Sequence, residues 1–297
     1  MRRRTAAGLA VSVLAPVLLA SAGSTLLRLQ ASRLREEFDA AAPAPGTVLP
    51  VHREVVPAAV PEAAAAEAAA AGGTAPPETA PPEAALPEAA LAVIGDSWLA
   101  GTGPEAPAAL IAHGLAAVTG SAVRLSNCAV PSARAEGVSE QVDRVVSDPH
   151  LARAAGLRIA VVSMGTGDVV HPVTGSLTLG VLTSALTRLE RAGFATVVLC
   201  CPNLSSLPAI RNPLRTVIRR SSRVVAGSQH LAALAAGALP LSTTRILSGT
   251  TRVGLVDPSG QRPSRLGASQ LAAAVVSAIA ERLAAPRTSV PRPEDPA

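Results

Sequence analysis

At 297 residues and a formal charge of +5, the chain is long enough for two average domains and only weakly basic, all of its basic side chains being arginine. Hydrophobic residues make up 48% but aromatics only 1% (Trp98, Phe38, Phe194, no tyrosine), so any core must be packed from aliphatic side chains. No concentrated basic region is interleaved with aromatic side chains, which excludes nucleic-acid recognition by base stacking.

Met1-Arg2-Arg3-Arg4 precedes an uncharged, mainly apolar run from Thr5 to Leu27. At about 1.5 Å per residue this run can cross a bilayer, and the arginines hold its N-terminal side in the cytoplasm. Residues 1–29 therefore read as a single-pass membrane anchor with the rest outside the cytoplasm. Ala20-Ser21-Ala22 also fits a small-x-small cleavage site, so a signal peptide and a secreted product are the alternative. Arg28, Arg33, Arg35, Glu36 and Glu37 suggest a short polar helix leaving the membrane. From Ala41 to Ala90 the composition turns to Ala, Pro and Glu, with too little bulky apolar surface to offset ordering entropy. Residues 30–90 are expected to be a semi-stiff stalk.

From Leu91 strand and helix signals alternate. Apolar β-like runs fall at 91–94, 122–125, 157–163 and 195–200, with a weaker one at 245–247 or 253–256. Helix-like segments lie at about 104–118, 136–146, 176–191, 214–237 and 264–283. This alternation predicts an α/β domain over 91–285, a three-layer flavodoxin-like parallel sheet with helices on both faces. Residues 286–297 read as a disordered tail.

Leu91-Ala-Val-Ile-Gly95-Asp96-Ser97-Trp98 runs a strand into a tight turn at the end where an open sheet places its chemistry. Ser97 is either an exposed nucleophile whose N–H faces a developing oxyanion, or a serine hydrogen-bonding its own Gly-rich loop. Loops that gather on the same edge are Asn127 to Ala133, Met164 to His171, Cys201-Pro202-Asn203, and Asp257 to Ser264. Cys128, Cys200 and Cys201 have no metal spacing and read as buried thiols, a disulfide from Cys128 to either of the others being the alternative. No histidine has ligand spacing, and the glycines near Ser97 lack the dinucleotide pattern, so neither a metal nor an organic cofactor is expected.

The order and spacing of these loops resemble the SGNH, or GDSL-type, ester hydrolases over roughly residues 91–284, their membrane-anchored forms most nearly. The resemblance implies that Ser97 attacks an acyl carbon. It also implies an oxyanion hole of the Ser97 and Ser132 N–H groups, Ser132 standing where the family's second block has glycine. The third block, Gly-x-Asn-Asp in the family, reads Gly165-Thr166-Gly167-Asp168, so the Asn amide is replaced by Gly167. Losing one such donor costs roughly 10²–10³ in rate. The last block, Asp-x-x-His-Pro-Ser, reads Ser259-Gly260-Gln261-Arg262-Pro263-Ser264. Ser259 and Arg262 take the acid and base positions, and an arginine keeps its proton. Loss of the base alone can cost about 10⁶. Asp257 and His171 are weak substitutes, His171 being read as a loop-structural residue, and no other histidine is an evident base.

Two further features stand out. Arg211, Arg215, Arg219 and Arg223, with Arg220, form a basic helix face, either solvated or suited to anionic lipid headgroups. Trp98 either walls a pocket or packs under the turn. Three readings follow: a membrane-tethered acyl-ester hydrolase with weakened machinery, a catalytically silent domain holding an acyl ester or acylated glycan, or a structural module.

Overall fold

Every residue of the strand Ala89–Gly95 is buried, as a strand covered on both faces must be. In the computed structural model, which describes residues 24–40, 43, 50–57, 88–171, 175–207, 210–248, 254–257 and 262–284, this strand is the centre of a six-stranded sheet. The strands are β1 (Val51–Val55), β2 (Ala89–Gly95), β3 (Val123–Asn127), β4 (Arg158–Ser163), β5 (Ala195–Cys200) and β6 (Leu239–Ser242). Their spatial order is β1-β3-β2-β4-β5-β6. All neighbours are parallel except β1, which pairs antiparallel with β3.

The period of two along each strand makes the three layers. Leu91 and Val93, with Ile159, Val161, Val197 and Leu199, face one core. There they meet Ile111 and Leu115 of α2 (Pro107–Thr119) and Leu271 and Val275 of α9 (Arg265–Ala284). Ala90, Ala92 and Ile94 face the other core. That side is covered by Val138 and Val142 of α3 (Ala135–Val146) and by Leu182, Leu186 and Leu189 of α6 (Gly175–Arg191). The remaining helices are α4 (Pro149–Ala152), α5 (Thr166–Val170), α7 (Leu214–Ala235) and α8 (Thr243–Ile246). Phe194 is the one aromatic of the second core, with the Arg158 guanidinium 4.5 Å above its ring.

Among the described residues, only α9 is long and apolar enough to cross a bilayer. Its buried face packs on the sheet and on α2, so its hydropathy serves the core. Residues 1–23 of the expected anchor, most of the expected stalk and the expected tail lie outside the described residues, while residues 24–29, read as the end of the anchor, are helical. All three cysteines are free and buried.

The structure differs from the sequence reading in three places. The weak strand expected at 245–247 or 253–256 is instead β6, Leu239–Ser242, while 243–246 is helical and Val256 makes only an isolated bridge to Pro263. The Leu-Pro-Leu-Ser sequence of β6 is too short to show a period, and its pairing with β5 makes it a strand. The sheet is mixed, because Val51–Val55 joins it as an edge strand, held by Arg124 between Glu54 and Glu88. Finally, α1 (residues 24–40) packs on the domain: Leu34 and Phe38 are buried with Val169, Val170, Leu204, Leu207, Leu214 and Ile218. Two pieces of the segment read as stalk are thus part of the fold.

Truncating Phe38 removes a large buried ring from that contact, so Phe38→Ala should lower the unfolding free energy by about 3 kcal/mol in urea at neutral pH. A change within about 0.5 kcal/mol would mean that α1 does not contribute to the folded state.

Candidate active site

The parallel strands follow the order in which the chain leaves β2 for β3 on one side and then crosses to β4 on the other. This reversal opens a crevice at the carboxyl ends of β2 and β4, where α/β sheets bind ligands. Ser97 follows β2 and Gly165–Asp168 follows β4, so two of the motif loops flank the crevice.

Asp96 joins them. Its carboxylate is fully buried; one oxygen accepts from the Trp98 N–H at 3.1 Å, the other from the Thr166 N–H at 3.2 Å and from the Thr166 hydroxyl. Burial pushes its pKa up to about 6 against those hydrogen bonds, with Asp168 adding repulsion. Behind the turn, the Gln141 amide clamps Gly95 on both sides, accepting from its N–H at 2.7 Å and donating to its carbonyl at 3.0 Å. Gln229 does the same between strands, accepting from Cys201 N–H at 2.7 Å and donating to Met164 carbonyl at 2.8 Å. Asn127 donates to the Leu99 and Gly101 carbonyls and fixes the chain after the serine.

Ser97 is 2% exposed. Its hydroxyl accepts from the Ser132 N–H at 3.3 Å, and its own N–H donates to no protein acceptor among the described residues. Of the two donors expected for an oxyanion, the Ser132 N–H is the one that stands at this oxygen. Ser132 reaches that geometry with φ of +60°, the only positive φ on a non-glycine residue among those described. That is the conformation a glycine adopts freely and a serine at some cost. A second bond holds it: the Ser132 hydroxyl donates to the Phe38 carbonyl of α1 at 2.7 Å.

Gly167 is enclosed. A Cβ placed there would lie 2.8 Å from the Ala133 carbonyl oxygen and 3.2 Å from Arg134 Cγ. The backbone of the second block thus occupies the space an Asn side chain would leave from. Next to it, Asp168 accepts from Ala135 N–H at 3.2 Å, while its other oxygen is buried without a partner. Burial raises its pKa above the usual carboxylate range.

In the last block, Ser259 lies outside the described residues. Arg262 is exposed, its N–H and carbonyl closing the loop onto Asp257 at 3.3 and 3.0 Å. Its side chain borders the groove of Gly101, Glu105 and Pro131. Ser264 caps α9, accepting from Gly267 N–H at 3.1 Å.

All five histidines are described, and none hydrogen-bonds to Ser97. His52 Nε2 lies 2.9 Å from Asp148, and His150 Nε2 lies 3.3 Å from the Arg53 carbonyl. His113 and His230 are exposed on α2 and α7. His171 Nε2 is 3.1 Å from Asp39 of α1, and burial, with Arg134 and Arg35, holds its pKa below the usual imidazole range.

Trp98 both belongs to the first core and walls a cavity of about 740 Å³ on the other side of the turn. The cavity is lined mainly by aliphatic side chains, including Leu204, Leu207, Leu247 and Val256, with Asn203 and Asp257 among its polar groups. The two glutamines and the Phe38 carbonyl escaped the sequence reading. Gln141 and Gln229 sit on the buried stripes of α3 and α7, and a lone amide among apolar helix positions is the signal that marks them.

No family model matches the chain. A curated GDSL-like esterase of Mycobacterium tuberculosis is 34% identical over 164 residues, 53% of this chain and 50% of that protein. The chain thus spans about half the length of this relative. Among solved structures, a psychrotrophic esterase from Pseudoalteromonas sp. superposes with a TM-score of 0.50 at 14% identity, covering 65% of this chain and 98% of that one. A mutant acetyl-xylooligosaccharide esterase from Geobacillus stearothermophilus gives 0.50 at 16%, covering 64% and 93%. At these identities the structures speak for the fold.

A carboxyl whose folded pKa is raised binds its proton more tightly folded than unfolded. Asp96 therefore opposes folding fully above pH 6, and that cost is relieved as pH falls from about 6 toward its unfolded value of 3.8. The unfolding free energy of the native chain, taken relative to Asp96→Asn, should rise by up to about 3 kcal/mol between pH 7.5 and pH 4. A flat difference would mean that Asp96 does not titrate in that window. At the third block, Gly167→Ala should cost about 1–3 kcal/mol in the same urea assay, because the Ala133 backbone has to move.

Proposed function

We propose that this chain, a member of the SGNH/GDSL hydrolase family, is a membrane-tethered domain outside the cytoplasm that holds an acyl ester or acylated glycan and retains at most residual hydrolysis at Ser97. The observation that carries this reading is the missing base: none of the five histidines is a partner of Ser97. Without a group to take its proton, the hydroxyl is a weak nucleophile, a deficit of about 10⁶ in comparable enzymes. The missing Asn donor at Gly167 adds to the deficit.

What remains suits binding. The Ser132 N–H stands at the Ser97 hydroxyl, and with the Ser97 N–H, which meets no protein acceptor among the described residues, it can donate to a carbonyl. The aliphatic cavity past Trp98 is large enough for an acyl chain, with Asn203 at its wall for a polar end. The curated relative is named an esterase and one solved neighbour an acetyl-xylooligosaccharide esterase, which favours an acyl ligand over other apolar ones. The N-terminal apolar run supplies the tether.

The test is hydrolysis of a short-chain aryl acetate by the detergent-solubilised full chain. The native chain should give no more turnover than Ser97→Ala. A Ser259→Asp, Arg262→His double change should raise the rate at least tenfold, and Ser97→Ala added to it should abolish the gain. Native turnover above about 1 s⁻¹ that disappears in Ser97→Ala overturns the reading and makes the chain a working esterase with a different base.

A further inference from the structure

Between Glu190 and Asp257 the sequence contains no acidic residue, while it carries Arg191, Arg211, Arg215, Arg219, Arg220, Arg223, Arg245 and Arg252. Most of that basic charge lies on or just ahead of α7. Seven-residue spacing puts Val217, Val224 and Leu231 on one strip of this helix, and all three are exposed, at 45%, 65% and 69%. Arg220 lies three residues after Val217 and four before Val224, on the same strip, and Arg219 and Arg223 lie along one side of it. No carboxylate pairs with Arg219, Arg220 or Arg223 among the described residues. The opposite face of α7, with Leu214, Ile218, Ala232 and Ala233, is already spent on the two cores.

A helix that presents an aliphatic strip bordered by unpaired arginines, with no acid nearby, is built for a surface that is both apolar and anionic. The chain's own path says where that surface is. The apolar run from Thr5 to Leu27 leads into α1, and Gln30 ties α1 to the start of α7 by bonds to the Asn212 carbonyl and the Leu214 N–H, at 3.2 and 3.3 Å. Leu26, Leu29, Arg28 and Arg33 are exposed on that end of α1, and its acids, Glu36, Glu37 and Asp39, are confined to the other end.

We propose that the outer face of α7, from Val217 to Leu234, lies against the surface of an anionic phospholipid bilayer. The aliphatic strip enters the headgroup boundary and the arginines pair with lipid phosphates. This docking does not depend on whether Ser97 turns over. It would fix the domain's orientation on the membrane, where a tether alone leaves it free to rotate.

The test places an environment-sensitive fluorophore on a Val224→Cys substitution in the full chain. The three native cysteines are buried, so the label goes to the new thiol. The chain is reconstituted in phosphatidylcholine vesicles with and without phosphatidylglycerol, with a Val118→Cys label on exposed α2 as control. Emission from position 224 should shift to the blue only with phosphatidylglycerol and return in high salt. The control should not move. Changing Arg219, Arg220 and Arg223 together to Gln should lower the docked-to-undocked ratio roughly a hundredfold. Equal shifts at both positions, an equal shift without phosphatidylglycerol, or indifference to the arginine changes each overturn the proposal. So does a shift produced by polyglutamate in place of anionic lipid, which would mark the face as a site for an acidic protein.

Discussion

The buried Asp96 carboxylate is the constraint on which the site depends. It accepts bonds from both the turn that carries Ser97 and the loop that carries Gly165–Asp168, and so fixes the crevice at the topological switch point. Burying a carboxylate is costly, and the raised pKa measures that cost. Three donors offset part of it. Gln141 and Gln229 do the same work with neutral amides, each satisfying backbone groups that the strand ends leave over. The scaffold of a serine-centred site is therefore intact down to its buried hydrogen bonds.

The chemistry laid on that scaffold is different. At Gly167 the Ala133 carbonyl oxygen lies 2.8 Å from where a Cβ would stand, so the position is fitted to glycine. At Ser132 a residue other than glycine holds a left-handed conformation, stabilised by the bond to the Phe38 carbonyl. At Arg262 the backbone closes on Asp257 and the side chain faces a different groove from the one beside Trp98. None of these features disturbs the sheet.

The N-terminal helix connects the site to the rest of the chain. Its Phe38 carbonyl and Asp39 carboxylate contact Ser132, Arg134 and His171, while its first turns lie beside α7. One helix thus spans from the basic, aliphatic outer face to the edge of the serine turn, and a ligand approaching Ser97 meets residues that precede the domain in sequence.

The alternation of apolar runs and amphipathic segments determined the α/β class, because strands buried on both faces and helices buried on one write different periods into the sequence. The Gly-Asp-Ser turn, the Gly-Thr-Gly-Asp loop and the Asp257 to Ser264 loop with Arg262 were equally legible, since each is contiguous. What the tertiary structure decided is what depends on contacts between distant segments. Val51–Val55 is a strand only because β3 offers it an edge, and α1 joins the fold only because Val169, Leu204 and Leu214 form a surface for Leu34 and Phe38. Composition placed Val51–Val55 in a stalk, and the charges of 28–40 read as a helix leaving the membrane, because local arguments do not see a compensating surface distant in sequence. Where the histidines lie was likewise a matter of position: five are visible in the sequence, but only folding shows that each is engaged or exposed away from Ser97.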